Sequence, residues 1–165
     1  MASQVFEVWK AGILDGTIDS VTTSANTLLR LMLVSTNTTA DTDNDGITTI
    51  AGLGTLDQFD GDINSQAFSS QKNSDHHIKT VTCSVTESGT IKYLTASGTT
   101  TWTAVAAGTR AIQGVLLFKH TNDSGAVGAD PEGVPVAFFD FSADVTPNGG
   151  NISVTFSSNR MISLT

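Results

Sequence analysis

The sequence predicts an all-β protein, an antiparallel sandwich or barrel with a short helix or arm at its N-terminus. Three observations carry this. Apolar and polar residues alternate with period two over several short stretches, as half-buried strands require. Clusters of Gly, Asn, Asp and Pro separate those stretches and read as turns. Ser and Thr make up about a quarter of the 165 residues, and Thr is β-branched and suits a pleated surface. Strands do not alternate with helices, so a parallel α/β sheet is not expected. Length fits a single domain, 1–165, with an N-terminal helix or arm over 1–20 and a loop-rich excursion over 37–75.

The elements follow in chain order. Val5, Phe6, Trp9, Ile13 and Leu14 recur at helical spacing, and Asp15-Gly16 would end the helix. That segment either packs on the chain's own core or docks on a neighbouring subunit. Residues 27–35 form a near-continuous apolar run, which suits a strand buried on both faces. Between Asn37 and Ser74 the pattern dissolves into Asp, Asn, Gly, Thr and Ser, broken by Leu53, Leu56, Phe59 and other apolar residues. A structureless loop that long is uncommon, so it reads as a partly ordered excursion and a candidate inter-subunit contact. Val81, Cys83 and Val85 then alternate with Thr80, Thr82 and Ser84, predicting one buried and one wet face. Glu87-Ser88-Gly89 supplies a turn, a strand begins at Ile91, and Thr101-Trp102-Thr103 signals another. Ala111–Phe118 is nearly all apolar and should be central. After a Gly-, Asp- and Pro-rich loop, Val134–Phe141 is a strand, with Pro135 at an edge or at its first ladder position. Pro147-Asn148-Gly149-Gly150 is a strong turn, after which Ile152, Val154 and Phe156 alternate with Ser153 and Thr155. Ile162 and Leu164 continue that period to the end.

Composition narrows the function. Charged residues make up only 15% and the formal net charge is -8. An acidic chain repels phosphate backbones and anionic headgroups, so neither nucleic acid nor membrane is an expected partner. The eight Lys and Arg are scattered, and few aromatics offer a stacking platform. Cys83 is the only cysteine, so no intrachain disulfide forms. The first residues lack a charged region followed by an apolar run, so cytoplasmic synthesis without a secretory leader is expected.

Few motifs carry chemistry. Asp41-Thr42-Asp43-Asn44-Asp45-Gly46 copies the first half of a calcium loop, with oxygen ligands at alternate positions and a Gly for the turn. Position twelve of that loop is Gly52, where a bidentate Glu belongs. Asp41, Asp43 and Asp45 are therefore either calcium ligands completed by Asp57, Asp60 or Asp62, or members of an acidic, turn-rich solvated loop. Adjacent His76 and His77 on a strand would point to opposite faces, which argues against zinc. There is no Gly-x-Ser-x-Gly elbow, and Cys83 falls on the apolar side of its strand, where a thiol is inert. No catalytic residue, enzyme activity or resident cofactor is expected.

The run Ala111–His120 (AIQGVLLFKH) resembles a strand of tailed-bacteriophage virion structural proteins of the head decoration, or cement, type. In that family a polar loop follows, then a second apolar strand ending in Asp, similar to Val136–Phe141 here. A Gly-rich turn and an alternating strand come next, similar to Asn148–Phe156. The opening also resembles the family: an amphipathic start, Gly16-Thr17-Ile18-Asp19, then Leu28–Val34, with a counterpart of Thr101–Thr103 before the late strands. Residues 37–74 depart from the pattern. The resemblance implies a jelly-roll-like β-sandwich subunit, a homo-oligomer (dimer or trimer), bound to the major capsid protein on the outer surface of the virion. It implies neither activity nor cofactor. Phe6, Trp9, Leu53, Leu56 and Phe59 are the candidate contact residues. The alternatives are a tail or head–tail structural protein and a calcium-dependent carbohydrate-binding module.

Overall fold

The computed structural model describes residues 4–15, 29–36, 78–96, 98–105, 107, 110–119, 133–156 and 160–164. Among the described residues, ten strands and one helix form in the order β1 Gln4–Val5, α1 Glu7–Asp15, β2 Leu29–Ser35, β3 Ile78–Thr80, β4 Cys83–Ser88, β5 Ile91–Ala96, β6 Thr99–Trp102, β7 Ile112–Lys119, β8 Val134–Val145, β9 Ile152–Thr155 and β10 Arg160–Leu164. They make a five-stranded sheet of order β1-β8-β7-β2-β3, a three-stranded sheet β10-β5-β4 and a two-stranded sheet β6-β9. Every pairing is antiparallel. The all-β class is the one the sequence predicts.

The two apolar runs sit at the centre of the large sheet. All seven residues of β2 are buried, as are the first seven of β7. Their side chains divide between two faces. Leu29, Leu31, Leu33, Ile112, Val115 and Leu117 join a core that also takes Val81, Cys83, Leu94, Trp102 and Ile162 from the smaller sheets and their approaches. Met32, Val34, Leu116, Phe118 and Phe138 form a second cluster with Phe6. A strand apolar on both faces cannot sit at a wet edge, so the continuous runs fix the sheet's middle.

Gly114 in β7 permits the closest backbone approach. A Cβ there would collide with the carbonyl oxygen of Phe139 and lie 2.9 Å from Cζ of Phe138. The register is irregular beside it: Gly114 faces Asp140, but Ile112 faces Val145, so residues 141–144 stand opposite Gln113. Strand β8 is thus longer than the sequence reading, which ends it at Phe141. Ser142, Ala143 and Asp144 in this bulge are exposed, as is Val145 beside it. Pro135 is the second residue of β8 and lies beside another register shift, where a missing N–H costs the ladder least.

Alternation over residues 80–85 predicts one continuous strand, and this is corrected. The chain pairs with β2 through Thr80, and the Val81 N–H still donates to the Leu29 carbonyl at 2.9 Å. From Cys83 it pairs with β5 in another sheet. Residues 81–82 are therefore a corner. Val81 and Cys83 reach the core, whereas Val85 is 49% exposed. Turns behave as their residues dictate. Ser88 pairs with Ile91 across Gly89-Thr90, and Gly89 has φ +63 while Thr90 is not left-handed, the pattern of a II′ hairpin. In the Pro147–Gly150 turn, Gly149 has φ +90 and its N–H donates to the Val105 carbonyl at 2.8 Å. At the end of the chain a register shift between Arg160 and Ile162 lets both Met161 and Ile162 turn inward, so strict period two fails there.

Candidate functional site

The N-terminal segment is built into the chain's own core. Gln4 and Val5 pair with Phe138 and Ala137 at the edge of β8, and the Phe6 N–H donates to the Val136 carbonyl at 3.0 Å. Helix α1 follows at once, with Glu7 favourable in its first turn. Phe6 is 0% exposed and Trp9 2%. Phe6 belongs to the cluster on one face of the large sheet and Trp9 to the core on the other. Both candidate contact residues are thus spent on internal packing, and neither offers surface to a partner in this conformation. Leu14, placed by periodicity with the apolar residues, is 88% exposed.

The other residues weighed as sites from the sequence lie outside the described residues: Asp41, Asp43 and Asp45 of the acidic loop, Leu53, Leu56 and Phe59 of the excursion, and His76 and His77. Among the described residues no group of three or more His, Cys, Asp or Glu is placed to hold a metal. Cys83 is buried, and its thiol donates to the Met161 sulfur at 3.8 Å. Burial pushes that thiol up from 9.0 to about 11, so almost no thiolate exists near neutral pH.

The solvent-facing sides of the small sheets are organised by hydroxyls. In the β6–β9 pair the Thr99 and Thr155 hydroxyls lie 2.7 Å apart, and those of Thr101 and Ser153 2.9 Å apart. On β4–β5 the Ser84 and Thr95 hydroxyls are at 3.0 Å, and Thr95 also donates to the Ser84 carbonyl. These are directly opposed cross-strand residues. Such pairs hold side chains in fixed rotamers and each contributes a few tenths to ~1 kcal/mol. On the same face as Ser84 and Thr95, the Arg160 guanidinium stacks 4.0 Å from the centroid of Tyr93. The result is an ordered face of hydroxyls with one stacked cation, suited to meeting another surface with little loss of side-chain entropy.

Sequence reasoning finds the hydroxyl richness but misses the pairs, because they join residues 11 to 56 positions apart. The Tyr93–Arg160 stack is missed for the same reason. Comparison with protein-family models, curated proteins and solved structures finds no match to this chain.

Proposed function

We propose that this chain is a non-enzymatic virion structural protein that binds the outer surface of a tailed-phage capsid and stabilises the shell. In this reading the subunit is a jelly-roll-like sandwich, works as a homo-oligomer, and takes the major capsid protein as its partner. The resemblance of Ala111–His120, Val136–Phe141 and Asn148–Phe156 to head decoration proteins carries the proposal. The first two of those segments supply the neighbouring strands β7 and β8, and the third contains β9. The hydroxyl-lined outer faces of β4–β5 and β6–β9 supply a further argument.

The mechanism is linkage. A subunit that binds the assembled shell and not its dissociated parts stabilises the shell by mass action. A closed oligomer presents several equivalent contacts, so each can be weak. With Phe6 and Trp9 buried, Leu53, Leu56 and Phe59 are the apolar candidates for contact with the capsid protein.

Copy number in purified particles tests the assignment. Decoration requires copies on the order of hundreds per particle, as the repeated capsid lattice demands. A few copies per particle would move the protein to the tail or the head–tail junction. The further alternative, a calcium-dependent carbohydrate-binding module, draws on the Asp41–Asp45 loop and on exposed aromatics. A rise in melting temperature with calcium, reversed by chelator, would support it.

A further inference from the structure

We propose that residues 4–15 form an exchangeable clasp, seated on β8 of a neighbouring copy of this chain in the assembled homo-oligomer. The inference rests on the homo-oligomer of the proposed function, and its tests read self-association without the capsid.

Four observations combine. The clasp is held to the sheet by the shortest strand among the described residues, Gln4–Val5, which pairs with Phe138 and Ala137, and by the Phe6 N–H on the Val136 carbonyl. It is nevertheless strongly keyed, because Phe6 enters the cluster on one face of the sheet and Trp9 the core on the other. It therefore wraps the β8 edge. It joins β2 through residues 16–28, a length that reaches up to roughly 45 Å when extended, enough to span to an adjacent copy. Finally Leu14, the most exposed large hydrophobic side chain among the described residues at 88%, stands at the end of α1 where that link begins.

Exchange re-forms every clasp contact between chains instead of within one. Its balance is then set by association entropy and by the new contacts near the links, not by the burial of Phe6 and Trp9. High local concentration, as on a particle, favours it.

A disulfide across the β1–β8 register decides the matter. Val5→Cys and Ala137→Cys occupy partner positions, and the native Cys83 is buried and unreactive. The two single variants are co-expressed, purified and oxidised, then run on a non-reducing gel. The proposal expects a covalent species of two chains, with a 5–137 cross-linked peptide in the mass spectrum. The double variant on one chain should give species of two or more chains. A double variant that closes entirely within single chains overturns the proposal. Sedimentation of the unmodified protein gives an independent reading. A monomer at all concentrations overturns exchange without touching the capsid assignment.

Discussion

Replacing Gly114 with Ala should cost this protein more than any other single methyl group added to β7. The added carbon would press on a main-chain carbonyl, that of Phe139, and approach Cζ of Phe138 to 2.9 Å. Neither can withdraw cheaply. Phe138 is 0% exposed and packed with Phe6, Met32, Leu116 and Phe118. The carbonyl belongs to β8, whose register on β7 is already shifted beside Gly114. Overpacking of this kind costs about 1–3 kcal/mol. Disturbing a ladder hydrogen bond between the two central strands adds about 1 kcal/mol. The expected loss is therefore about 3 kcal/mol, a lowering of the melting temperature by ~6–12 °C for a chain of this size. Urea unfolding followed by circular dichroism and tryptophan fluorescence measures it. Gly98→Ala serves as the contrast. Gly98 has φ +75 but open space around its Cα, so that change should cost only about 1–2 kcal/mol from backbone strain. A Gly114→Ala loss below about 0.5 kcal/mol would refute the close approach of β7 and β8.

Other perturbations have equally definite outcomes. Trp9→Ala should destabilise the chain by about 3–5 kcal/mol in the same assay, since its ring is buried within the core; a loss under ~1 kcal/mol would mean the clasp is not seated there. Ala104, at φ +52, is held where Gly is more at ease, so Ala104→Gly should stabilise by up to ~1 kcal/mol, the relief of strain exceeding the entropy cost. The Cys83 thiol has a folded pKa raised from 9.0 to about 11. Its contribution to stability is then full below pH 9 and lost as pH rises through 11. Wild type should fall relative to Cys83→Ala by up to ~3 kcal/mol across that window, and parallel pH profiles would show the thiol is not buried. Native protein should also resist thiol-labelling reagents at pH 8 and react fully in urea.

The centre of the large sheet was legible because its strands are apolar on both faces. Leu29–Val34 and Ile112–Phe118 leave no other place to put them. Alternation likewise placed β9, with Ile152 and Val154 inward and Ser153 and Thr155 outward. The corner at residues 81–82 was not legible, since Val81, Cys83 and Val85 read identically whether a strand continues or changes sheets. Nor was the fate of Phe6 and Trp9. Helical spacing reveals an apolar stripe but not whose core receives it. The bulges at Gln113 and Met161 arise from non-local pairing, which no local pattern encodes. The same holds for the surface, where hydroxyl content is a property of composition but the Thr99–Thr155 and Thr101–Ser153 pairs are properties of register.

The most direct test of the central claim mixes the purified protein with phage capsids that lack it, then measures bound protein by sedimentation and the melting temperature of the shell. The account predicts saturable binding and a shell that melts at a higher temperature once saturated. Absence of binding, or binding that leaves shell melting unchanged, would contradict it.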